Sequence, residues 1–142
     1  MGSVLYIYQI MKKQILLFIF CLVFALTSCH NEIKQVTVIA ETYLTDMGNY
    51  RFEEAKKYAT EEQTAIIADA EDFMKNISEE NIQQVLPVVI TIENVVVEND
   101  SAFIDFQSKS KAFQNEGYLK MVKQNGEWRA CEQGRRMPQT IK

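Results

Sequence analysis

Histidine is almost absent from this chain of 142 residues: the only one is His30. It stands at the start of the polar part of the chain, too near one end to reach a domain interior. That excludes imidazole acid–base catalysis, a histidine-oriented nucleophile and most metal sites. Cysteine is nearly as scarce. Cys21 and Cys29 lie inside and at the end of a greasy run, which leaves Cys131 alone in the remainder. A folded part with one thiol has no internal disulfide. Positive charge is in short supply too. After Cys29 there are thirteen basic and nineteen acidic residues, a net charge of −6. Such a domain repels phosphate backbones, so nucleic acid is not expected as a partner. Internal repeats and low-complexity segments are also missing.

What is present first is the run Ile15–Leu26, "ILLFIFCLVFAL", preceded by Lys12 and Lys13. A basic start followed by a short apolar segment has the plan of a secretory signal. Twelve helical residues reach about 18 Å, short of a hydrocarbon core of roughly 30 Å. Met11 opens this pattern better than Met1, so either start fits the sequence. "MGSVLY" fails as a myristoylation site, because position 6 is Tyr.

The end of the run is "LTSC", Leu26 to Cys29. It resembles the lipobox of bacterial lipoproteins, with an aliphatic residue three before the cysteine and a small residue directly before it. The resemblance implies a diacylglycerated thiol on Cys29, cleavage between Ser28 and Cys29, and acylation of the new amine. Two or three acyl chains anchor stably where one binds only marginally. Cys21 follows the bulky Phe20 and does not fit. The expected location is the cell envelope, lipid-anchored. His30 stands where an inner-membrane retention signal of the proteobacterial kind has Asp, which favours the outer membrane.

The expected organisation is a signal peptide over residues 1–28, a lipidated tether over 29–32, a domain over 33–132 and a flexible tail over 133–142. In the domain, Ile33, Val36, Ile39, Ala40, Tyr43, Leu44 and Met47 recur at helical spacing, with Gly48 as a stop. A second helix fits "NYRFEEAKKYA", with Phe52, Ala55 and Tyr58 on one face. "TEEQ", Thr60 to Gln63, reads as a capping box for a third helix running to about Asn76. Its apolar side is Ile66, Ile67, Ala70, Phe73, Met74 and Ile77. Ser78 caps one further turn, and Pro87 ends the helical half.

The second half has period two. "VVITIENVVVE" is a long β-branched strand whose apolar phase slips at Glu93-Asn94, so a bulge is expected there. Glu98–Asp100 is a turn. "SAFIDFQS" sets Ala102, Ile104 and Phe106 against Phe103, Asp105 and Gln107. "KSKAFQNEG" is a polar connection. "YLKMVKQ" and "EWRACE" flank Asn125-Gly126, the strongest hairpin signal in the chain. That turn puts Lys123 opposite Trp128 and Met121 opposite Ala130. Helices followed by antiparallel strands is an α+β order.

Two local patterns carry a family resemblance. One is Gly48, Phe52, Ala55 and Tyr58; the other is Lys123, Gly126 and Trp128. Together they resemble small lipoproteins of the NTF2-like superfamily, in particular the DUF4878, lumazine-binding-like group, over residues 33–132. The resemblance implies a cone: a curved antiparallel sheet of about four strands wrapped on N-terminal helices, often with a cavity and often dimeric. It implies no single activity.

Tyr43, Phe73, Phe106 and Trp128 are the expected cavity-wall residues. Cofactor-binding, metal-binding and catalytic residues are not expected. The expected function is a lipid-anchored, non-catalytic domain that binds a small apolar ligand or an envelope protein partner, with a homodimer through the sheet as a further partner. The alternatives are an isomerase or hydrolase using Asp105 in an apolar site, where its pKa would rise, or a purely structural subunit.

Overall fold

The computed structural model of the chain describes residues 31–135. Ser28, Cys29, His30 and the whole greasy run lie outside the described residues. Residues 35–135 form one compact unit.

Helix α1 occupies residues 31–48. Val36, Ala40, Tyr43 and Leu44 are spaced three and four apart and are all buried, so one stripe carries the packing. Ile33, which the pattern adds to that stripe, is exposed. The helix stops at Gly48, but by another device than a left-handed glycine. A Cβ on Gly48 would stand 3.1 Å from Val88 Cγ1, so the glycine permits close approach of the chain. The left-handed residue is Tyr50, with φ 59°. The Arg51 N–H then donates to the Asp46 carbonyl at 2.8 Å. The Arg51 guanidinium also meets the Asp46 carboxylate at 2.6 Å. Asp46 is buried, and a buried carboxylate needs such a partner.

Helix α2, Phe52–Lys56, is shorter than the sequence pattern suggests. Phe52 and Ala55 are buried, and Lys56 bridges Glu53 and, on the next helix, Glu71. Helix α3 is Glu61–Met74. Thr60 Oγ1 accepts from the Gln63 N–H at 3.2 Å, half of the expected capping box. The other half is not formed: the Thr60 N–H donates instead to the Ala130 carbonyl at 2.9 Å. Helix α4, Glu79–Val85, follows Ser78 and buries no residue. Among the described residues, no helix is long and apolar enough to cross a membrane.

The sheet is an antiparallel meander in the order β1-β2-β3-β4: β1 Val89–Glu98, β2 Ser101–Lys109, β3 Gln114–Gln124 and β4 Glu127–Arg135. The register of β1 on β2 shifts between Ile92 and Asn94. One extra residue there reverses the alternation. Ile90 and Ile92 before it, and Val95 and Val97 after it, therefore all pack against the core. Asn125 and Gly126 both take positive φ, 52° and 82°, as a two-residue hairpin of the mirror-image type requires. Lys123 pairs with Trp128 and Met121 with Ala130.

Two boundaries differ from the sequence reading. Strand β3 begins at Gln114, inside the supposed polar connection, because Ser110 Oγ accepts from the N–H groups of Ala112 and Phe113 and turns the chain in four residues. Strand β4 continues to Arg135, three residues beyond the expected end of the domain. The helices cover one face of the sheet. Leu119, Met121, Trp128 and Ala130 meet Val36, Tyr43, Leu44 and Ile67 in one apolar cluster.

Candidate functional site

Between the helices and the wide part of the sheet lies a cavity of about 400 Å³. Its apolar wall comes from Leu44 and Met47 of α1, Val88 just before β1, Ile90 of β1, Phe106 of β2, and Phe113. That volume suits a small organic molecule. Two glycines help to shape the wall. A Cβ on Gly117 would stand 2.5 Å from Phe106 Cζ, so the Phe106 ring lies flat on the backbone of β3. On the outer face, the Tyr118 ring covers Gly134 in the same manner. Cross-strand pairs of this kind, aromatic on glycine, fix register in a curved sheet.

The polar groups are unevenly placed. Tyr50, Glu116, Gln133 and Arg135 border the cavity and are partly or fully exposed. Gln63, by contrast, is only 4% exposed. Its Nε2 donates to the Tyr43 hydroxyl at 3.1 Å. Tyr43 is completely buried. Burial pushes its phenol up to about 12, against the lowering effect of the Gln63 hydrogen bond, so it stays protonated at neutral pH. Wider but outside this space, a depression of about 630 Å³ is lined by Thr60, Glu62, Val122 and Cys131. Ala65 and Val122 are its apolar members, and it lies between the first turns of α3 and strands β3 and β4. Burial also raises the Cys131 thiol, whose Sγ rests 3.4 Å from the Lys120 carbonyl.

Of the four expected wall residues, Phe106 alone lines the cavity. Tyr43 sits behind Gln63 and touches the cavity only through it. Trp128 is 1% exposed and belongs to the core, where it borders a recess of about 380 Å³ with Ile39, Tyr58 and Arg129. Its Nε1–H has no acceptor among the described residues. Phe73 is a correction: it is 67% exposed. The inward stripe of α3 is Gln63, Ile67, Ala70 and Met74, and Phe73 and Ile66 lie about a quarter-turn away from it. Asp105 alternates with the buried Ile104 and Phe106, which puts it on the outer face of the sheet beside Tyr118. Among the described residues, no three His, Cys, Asp or Glu side chains are grouped to hold a metal ion.

Gln63 itself was hidden by its reading as a helix cap. Its phase with Ile67, Ala70 and Met74 was the available signal.

A helical layer over a four-stranded antiparallel sheet, open to a small cavity, is the NTF2-like α+β fold. The solved structures agree. An NTF2-like protein of unknown function from Silicibacter pomeroyi matches with a TM-score of 0.56 and 18% identity, over 76% of this chain and 97% of that one. One from Pseudomonas putida matches with a TM-score of 0.57 and 10% identity, over 77% and 88%. Bdellovibrio bacteriovorus Bd1075 matches with a TM-score of 0.54 and 7% identity, over 76% of this chain but only 41% of that protein. At these identities the likeness is one of fold alone. No curated protein is significantly similar in sequence. The family described as "Putative lumazine-binding" matches residues 31–133. The chain belongs to that family.

Proposed function

We propose that the protein is a lipid-anchored envelope protein whose domain binds a small, mainly apolar molecule in the cavity beneath Phe106. The observation that carries this reading is the cavity itself: about 400 Å³ with a wall of apolar side chains. A domain with a purely structural task would fill that space with its own side chains. A catalytic alternative through Asp105 lacks support, since this carboxylate is on the other face of the sheet. The family's description supplies a first probe. Lumazine, followed by its fluorescence, is expected to bind the purified chain saturably at one site. Ser108 also lines the cavity, and Ser108→Phe is expected to abolish that binding while the thermal midpoint is kept. Equal binding by both proteins would place the ligand elsewhere.

Pairing of two copies through the outer face of the sheet is a second reading. It is favoured by Val96, Phe103 and Tyr118, which are 41%, 45% and 37% exposed on neighbouring strands. The mass of the intact species in native mass spectrometry reports it directly.

The anchor rests on the sequence around Cys29. Cys29→Ala is expected to leave the uncleaved, unlipidated mass, with the apolar run still attached. A product that is cleaved and acylated as in the wild type would sink the lipidation reading.

A further inference from the structure

We infer that Gln63 makes the inner end of the cavity a hydrogen-bond acceptor, so that the ligand is a compact apolar molecule with one N–H or O–H donor at its leading edge. This deepens the cavity reading above and rests on it. Gln63 is the one polar residue bordering the cavity that is also buried. A primary amide has a donor end and an acceptor end. The donor end is engaged, since Nε2 is held 3.1 Å from the Tyr43 hydroxyl. The backbone N–H is engaged as well, by Thr60 Oγ1 at 3.2 Å. The side-chain carbonyl Oε1 receives no donor from the described residues. Unlike Trp128 Nε1, it is not cut off from solvent, so a ligand donor in the cavity can take the place of water on it.

Two features fix the direction of the amide. Gln63 is in the first turn of α3, whose inward stripe continues through Ile67. Tyr43, completely buried on α1, holds the other end of the amide, so Tyr43 is a positioning residue. Elsewhere in the wall, Ser108 already gives its hydroxyl hydrogen to the Asn115 carbonyl at 3.4 Å. Tyr50 and Asn115 are only partly buried, and Glu116, Gln133 and Arg135 are exposed, so water competes for all of them. Selection by a hydrogen bond therefore falls to Gln63. A site built to pair a donor rejects the analogue that lacks it more strongly than an apolar wall discriminates size.

The test uses two probes of similar shape, 2-naphthol and 2-methoxynaphthalene, titrated into the purified full-length chain. The first carries an O–H donor and the second does not. The expected result is a five- to tenfold preference, roughly, for 2-naphthol, the net worth of one buried hydrogen bond. Gln63→Leu is expected to bind 2-methoxynaphthalene as before and 2-naphthol no better. Tyr43→Phe keeps Gln63 but frees the amide to turn its NH₂ inward. It is expected to lose most of the preference, and it carries the test if Gln63→Leu does not fold. A preference that survives in either folded variant overturns the inference. So does its absence in the wild-type chain when both probes bind, an outcome that leaves the cavity reading standing. Failure of both probes to bind the wild-type chain sinks the cavity reading itself and this inference with it.

Discussion

Trp128→Ala should lower the free energy of unfolding by about 3–5 kcal/mol, a large part of what a domain of this size possesses. Trp128 is among the largest fully buried side chains. It stands on β4 opposite Lys123, whose Nζ lies 5.6 Å above the indole ring. Removing the ring leaves a void between α1 and the sheet that neither element can close, since both are held by their own backbone hydrogen bonds. Trp128→Phe should be far milder, within about 1.5 kcal/mol of the wild type. The reason is the indole Nε1–H, which is buried without an acceptor among the described residues. A phenyl ring loses some contact area but removes a donor whose desolvation costs about 1–3 kcal/mol. Urea unfolding of the three proteins, with the slope checked for two-state behaviour, separates the two terms. A Phe variant as damaged as the Ala variant would show that the N–H is satisfied after all.

Gly117→Ala is the second large effect, and there the added group is a single methyl. In an ordinary strand the change would help, because alanine loses less backbone freedom on folding. At Gly117 the new Cβ would meet Phe106 Cζ at 2.5 Å, Phe106 Cε1 at 2.9 Å and the Gly134 carbonyl at 3.0 Å. The ring could rotate away, but only into the cavity; the carbonyl is backbone and paired. Overpacking of this kind costs about 1–3 kcal/mol, which outweighs the entropic gain of about 0.4–1 kcal/mol. The same rotation would shrink the cavity, so ligand affinity should fall along with stability. Phe106→Leu combined with Gly117→Ala is expected to recover part of the lost stability, a non-additive result because the two side chains occupy one space. Strict additivity in that double-mutant cycle would mean that the clash is not with Phe106.

The strands were more legible than the site. Alternation in β2 assigned Ala102, Ile104 and Phe106 inward without any knowledge of the tertiary structure, because a strand has only two faces. Even the bulge near Asn94 could be read, since β1 is apolar in both phases and only a slip reconciles them. A helix has no such binary choice. The sequence offers two apolar stripes on α3, and which one packs depends on where α1 lies. That is why Phe73 could be mistaken for a wall residue while Gln63 was passed over. Part of the cavity wall was out of reach for a different reason. Phe113 and Asn115 occupy a stretch without periodicity, and the turn at Ser110 that aims them is a matter of side-chain-to-backbone hydrogen bonds.

The Asn49 side chain sits where the helices give way to the sheet. Its Oδ1 accepts from the Val88 N–H at 3.0 Å, and its Nδ2 donates to the Val88 carbonyl at 3.0 Å and to the Thr45 carbonyl at 2.8 Å. One amide thus imitates a strand, offering Val88 the pair of bonds that a neighbouring residue in a ladder would give. The end of α1 and the beginning of β1 are welded at this point, on the side of the cavity formed by Gly48 and Val88. Parting the two elements there would break all three of these hydrogen bonds together.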